Sequence, residues 1–101
     1  MESCLMQKIY DDTNTISRKK GNGILRREVW VDEAGKVVRY NLAYINHNDF
    51  ALDNGRILGY DNAHGYHHRH YYGTVKSIEF LSFKDVEDLF EKEFMEIRGG
   101  K

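Results

Sequence analysis

Proline is missing from this chain, cysteine occurs once, and no apolar run approaches the ~20 residues that a membrane helix needs. The lone Cys4 excludes an intrachain disulfide, and no Cys-x-x-Cys pair offers a metal site. Cys4 has no basic residue beside it in sequence to activate it as a nucleophile. The opening residues, MESCLMQKIYDD, have neither the basic start nor the apolar stretch of a secretory signal. A soluble protein of the reducing cytoplasm, with no membrane partner, is the expectation. A net charge of −1 argues against a simple basic nucleic-acid binder. The 101 residues leave room for one domain, 1–101, and not for two cores. Hydrophobic residues at 41% and charged residues at 31% describe a folded chain rather than a disordered one.

Hydropathy patterning divides that domain into an N-terminal segment and loop over 1–23, a sheet over 24–80 and a helix over 82–98. Residues 1–12 can be a short strand, with Leu5, Gln7 and Ile9 alternating against their neighbours, or a helical turn; 11–23 is polar and glycine-flanked and reads as a loop. From Ile24 the period is two. Leu25, Arg27, Val29 and Val31 share one face, then Glu33-Ala34-Gly35 supplies a hairpin loop, and Val38, Tyr40, Leu42 and Tyr44 resume the alternation. Trp30 and the tyrosines of this second strand read as sheet packing. Asp53-Asn54-Gly55 signals another turn before a strand at 56–61. Residues 66–72 are aromatic and extended in character, and 74–80 reads as a further strand. Ser82 is a good N-cap with Asp85 three positions on, and Leu81 and Val86 are spaced for a hydrophobic staple. Phe83, Val86, Leu89, Phe90, Phe94 and Ile97 then recur at helical spacing, and Gly99-Gly100 ends the run. The fold class expected is α+β: an antiparallel sheet of four or five strands with one C-terminal helix packed on a face.

Five histidines are present, and four of them, His64, His67, His68 and His70, fall between positions 64 and 70. If 66–72 is a strand, His68 and His70 share a face with Tyr66 and Tyr72, while His67, Arg69 and Tyr71 share the other. A hairpin with 56–61 brings Asp61 and Asn62 close to the first residues of that strand. Imidazole titrates near neutral pH, so two on one face can act as base and acid about a phosphodiester. Arg69 can neutralise charge on the phosphate, Asp61 can fix a tautomer, and Tyr66, Tyr71 or Tyr72 can stack an unpaired base. His67 and Asn62 are second choices for catalysis. These are the side chains of a metal-independent ribonuclease, needing no cofactor. His64, His68, His70 and Asp61 equally make a four-ligand metal set, which would suit a metal-dependent hydrolase. A solvated polar strand accounts for the same residues with no function. Finally, Arg18, Lys19, Lys20, Arg26 and Arg27 carry five positive charges with no acid between 18 and 27. Arg26 and Arg27 head the candidate RNA contacts, and the whole segment suits a non-catalytic nucleic-acid-binding module.

The run Tyr60-Asp61-Asn62-Ala63, a histidine-bearing connection and His67-His68-Arg69-His70 resembles the TumE family of toxin–antitoxin toxins. The family pattern is an aromatic-Asp-Asn-Ala run, a variable spacer and a His-His-Lys-His-like run. The similarity extends over 24–97 and is specific over 60–70. The spacer here, His64-Gly65-Tyr66, is short and lacks the prolines of many members, and Arg69 stands where lysine is common. The resemblance implies a cytoplasmic toxin of a type II pair, silenced by a helix-turn-helix antitoxin and acting on RNA. A homodimer is compatible with it. By motif match the positions at stake are Asp61, Asn62, His67, His68, Arg69 and His70.

Overall fold

The computed structural model describes residues 6–99; Cys4, Leu5 and Gly100, all named above, lie outside them. Strands β1 (Gln7–Thr15), β2 (Ile24–Val31), β3 (Val37–Ile45), β4 (Arg56–Asp61), β5 (His68–Tyr71) and β6 (Thr74–Ser77) form one antiparallel sheet in that spatial order. A helix, α1 (Phe83–Gly99), packs on β3 and β4. The α+β class is as expected, with six strands rather than four or five. The additional strand is β1, which takes up the strand reading of 1–12 from Gln7 and carries it through residues 11–15 of the anticipated 11–23 loop. It is an edge strand exposed along its length, so its side chains need no apolar alternation to be accommodated. β6 stops at Ser77 instead of residue 80 because Ile78 and Phe80 leave the ladder to pack against the core.

Alternation sorts the sheet into two faces. Tyr40, Leu42 and Tyr44 of β3 stand beside Leu58 and Tyr60 of β4, and all five are buried under α1. Val86 and Phe94 of the helix complete this core, with Phe83, Phe90 and Ile97 packed against it. The Tyr44 and Phe94 rings meet edge-to-face at 5.0 Å. The expected helix stripe is present except for Leu89, which is exposed. Ser82 Oγ accepts from the Asp85 backbone N–H at 3.1 Å, so the N-cap forms. The staple does not, since Leu81 is 75% exposed.

No element among the described residues covers the other face. There the strands contribute parallel rows of cross-strand neighbours. One row runs Lys8, Trp30, Arg39; the next Asp11, Glu28, Asn41, Asp61, His68, Ser77; the third Thr13, Arg26, Ala43, Gly59, His70, Val75. Trp30 is therefore on the open face, not in the core with the β3 tyrosines. No helix among the described residues is long and apolar enough to cross a membrane.

The helix is tied to β5 by charge as well as by burial. Arg69 Nε and Nη2 donate to Glu93 Oε1 and Oε2 at 3.1 and 2.8 Å, and Tyr60 Oη donates to Oε1 at 2.5 Å. These charge-assisted bonds are partly buried, and each contributes more than a neutral pair would. We predict that Arg69→Ala lowers the unfolding free energy by about 2 kcal/mol in urea titration. Wild-type stability in that variant would show the strut to be ornamental.

Candidate active site

The β4–β5 register sets Asp61 directly opposite His68 and Gly59 opposite His70, all on the open face. The tight turn that joins β5 to β6 places Tyr72 and Gly73 at φ values of 46° and 84°, as a two-residue hairpin requires. Asp61 is the junction of the cluster. His68 Nε2 lies 2.8 Å from its Oδ1, and His70 Nε2 lies 3.1 Å from its Oδ2. The Ala63 backbone N–H donates to Oδ1 at 3.0 Å. The two imidazole rings meet edge-on, with centroids 4.8 Å apart.

The far sides of the rings differ. The Tyr66 carbonyl stands 3.0 Å from His68 Nδ1, which donates to it, while Nε2 faces the Asp61 carboxylate. His70 Nδ1 instead faces Arg56 Nη2 at 3.0 Å. A guanidinium can only donate, so Nδ1 accepts and the His70 proton sits on Nε2, toward Asp61. Arg56 is itself gripped by Asp53 through Nε at 2.9 Å and Nη2 at 3.1 Å. Burial, then the Arg56 charge, push the His70 pKa below its ordinary value, against the opposing pull of Asp61.

Arg56 reaches this position by two devices. A register shift between Tyr44 and Ile45 pairs Arg56 with Ile45 and leaves Ile57 as the bulged residue, which re-aims Arg56 onto the open face. Gly59 then lets the side chain lie flat, since a Cβ there would stand 2.8 Å from Arg56 Cδ. Neither Arg56 nor Asp53 was among the sequence candidates. The Gly inside a strand was the available signal, because it marks a close approach.

The other candidates separate. Arg69 cannot serve as a phosphate contact beside His68 and His70: alternation puts it on the helix face, bound to Glu93. Tyr71 is on that face too, with the Arg69 guanidinium 4.5 Å from its ring. His67 stacks on Phe80 at 3.9 Å and meets the Tyr40 hydroxyl through Nδ1 at 2.9 Å. Burial, followed by the neighbouring His68, lowers its pKa. Asn62 is structural, its amide bridging the Tyr40 N–H and the Val38 carbonyl at 3.0 Å each and so prolonging the β3 ladder past the end of β4. Tyr66 stacks on His68 with centroids 4.5 Å apart. His64 is exposed on the turn at φ 63° and stands apart from the metal-capable group among the described residues, which is Asp61, His68 and His70. The three ligand atoms of that group lie within 4.8 Å of one another.

The basic stretch is likewise divided. Arg18, Lys19 and Lys20 form an exposed turn, Arg26 joins the open face near Glu28, and Arg27 crosses under the helix to Glu87 at 2.7 Å. The imidazoles are gathered but shielded, His68 being 4% and His70 8% exposed. Two clefts lie beside them: one of about 390 Å³, lined by Asp61 with Glu28, Trp30, Arg39, Tyr40, Asn41 and Ala63, and one of about 180 Å³, lined by Arg56 and Asp53 with Arg26, Asn41, Ala43, Ile45 and Asn54.

A family model described as Toxin TumE matches residues 13–99 of the chain. No curated protein and no solved structure matches it significantly.

His70 carries a pH signature. Its folded-state pKa lies below that of a free histidine, so the unfolded chain takes up a proton that the folded one refuses. Stability from this ring is complete above about pH 6.5 and drains away beneath it; His67 adds to the same trend. Urea midpoints of the wild type should therefore fall between about pH 7.5 and about pH 5, and fall less in His70→Asn. Equal slopes in the two proteins would remove His70 as the source.

Proposed function

Since the chain belongs to the TumE toxin family, we propose that this toxin works as a metal-independent ribonuclease whose proton-transfer centre is the Asp61–His68–His70 cluster, in a type II pair with a helix-turn-helix antitoxin. The observation that carries the metal-independent reading is the bond from Arg56 to His70 Nδ1. A metal held by His70 Nε2 needs the ring proton on Nδ1, where it would point at a guanidinium with no lone pair to offer. The same bond leaves a neutral imidazole whose basic nitrogen is released whenever Arg56 moves.

An RNA phosphate entering the smaller cleft, which Arg56 and Asp53 line, competes with Asp53 for Arg56. Once Arg56 turns to the phosphate, His70 Nδ1 is free to take the proton of the 2′-hydroxyl as that oxygen attacks phosphorus. His68 gives the proton held on its Asp61 side to the departing 5′-oxygen. The products are a 2′,3′-cyclic phosphate and a 5′-hydroxyl end. His70 ends protonated and His68 neutral, and exchange with water restores both. Asp61 is a positioning residue that aims the two Nε2 atoms. Arg56 stabilises charge on the phosphate, the part that Arg69 was expected to play. The antitoxin silences the toxin by binding it.

A metal-dependent reading rests on the three convergent ligand atoms of Asp61, His68 and His70. One experiment separates the two. Purified protein is incubated with labelled RNA, with and without EDTA. His68→Ala and His70→Ala should each slow cleavage about 100-fold or more, Arg56→Ala should do the same while the fold survives, and EDTA should change nothing. Growth arrest on expression should follow the cleavage rates. A folded His68→Ala/His70→Ala protein that still cuts at the wild-type rate would end the proposal. Loss of cleavage on chelation, restored by Zn²⁺ or Mn²⁺, would transfer it to the metal-dependent reading.

A further inference from the structure

The open face carries an aromatic that the reaction above does not use. Trp30 lies one cross-strand row from Asp61 and two strands away, a lateral offset of about 10 Å. Its partly exposed indole forms one wall of the cleft whose far end is Asp61. That cleft, about 390 Å³, is within the size range of small-ligand pockets. Cations stand over the ring from both neighbouring strands, Lys8 Nζ 4.9 Å and the Arg39 guanidinium 5.0 Å from its centroid; Lys8 is held by Asp11 and Glu28, so a stacking base takes the place of Arg39. Arg39 is exposed, and among the described residues no carboxylate is shown paired with it.

The floor between Trp30 and Asp61 is polar and fixed. Asn41 Nδ2 donates to Glu28 Oε1 at 2.9 Å, and Lys8 donates to Oε2 at 2.8 Å. Those bonds, with help from Arg26, hold the Glu28 carboxyl down at about 2, so it stays ionised and matched rather than repelling an anionic ligand. A flat apolar ring, a mobile cation beside it and hydrogen-bonding groups at the edge are what an unstacked nucleobase and its phosphate require. A helical duplex does not expose a base face to such a wall, so the occupant is single-stranded.

We propose that Trp30 is the stacking platform for a base of single-stranded RNA next to the scissile phosphate, with Arg39 on the adjoining phosphate and Asn41 at the base edge. The inference rests on the ribonuclease reading for its substrate but not for its test. Trp30 is the only tryptophan in the chain, so its fluorescence reports on this one position. Full-length protein is titrated with a mixed-sequence 2′-O-methyl oligonucleotide, which has no 2′-hydroxyl to react.

The indole emission should be quenched to saturation. Trp30→Ala should weaken binding about 10-fold or more, read by anisotropy of a labelled oligonucleotide. Trp30→Phe should recover most of it, which controls for folding. On cleavable RNA, Trp30→Ala should raise KM with little change in kcat. Quenching in a protein that cuts no RNA would keep the platform and discard the ribonuclease. An unquenched indole in the bound state, wild-type affinity in Trp30→Ala, or no binding at all would overturn the platform, whatever the fate of the cleavage assay.

Discussion

Asp61 is a carboxylate taken almost out of water, and an ion in that condition needs donors on every side. It finds them in two imidazoles and a backbone N–H, with a guanidinium 3.8 Å away. Everything distinctive about the open face follows from satisfying that one side chain. His68 must be its cross-strand partner, and His70 must lie one pleat further along. Arg56 must arrive from a bulge, and Gly59 must stay bare to let it pass. Removing any one of these leaves a charge or a lone pair unsatisfied in a place where water cannot easily replace it.

The two faces of the sheet divide the labour. One carries tyrosines and leucines and takes the helix, which accounts for the stability of the domain. The other carries charge, amide and imidazole and has no helix over it, although Asp61, His68 and His70 are themselves buried there. The division explains why neighbours in sequence have unrelated roles. Arg69 sits between His68 and His70 in the chain, yet it braces α1 from the opposite side. Arg26 and Arg27 part in the same way, one beside Glu28 and the other clasping Glu87.

Much of this was legible from residue order. The β2–β3 hairpin, the Ser82 cap, most of the helix stripe and the shared face of His68 and His70 all follow from periods of two and 3.6. The placement of Asp61 near them needed only the assumption that the fourth and fifth strands pair. β1 was half seen, as one of two readings of 1–12; its continuation to Thr15 escaped because an exposed edge strand leaves no apolar alternation to read. Arg56 escaped because a bulge is a register event, and register is decided by both strands at once. Arg69 was misjudged as a phosphate contact even though the alternation that separates it from the histidines was already apparent; its chemistry was weighed ahead of its geometry. The shielding of the rings was invisible, since it depends on Tyr66 folding back over His68.

The spatial order of the strands is also the order in which they leave the ribosome. Each strand pairs with its predecessor, so the ladder can grow as the chain emerges. The imidazoles belong to the fifth strand of six and the brace from Glu93 to the penultimate turns of the helix. A nascent chain can thus assemble most of its sheet while holding no histidine pair. The histidine pair comes together only once the first four strands are in place, and before the helix that braces the opposite face.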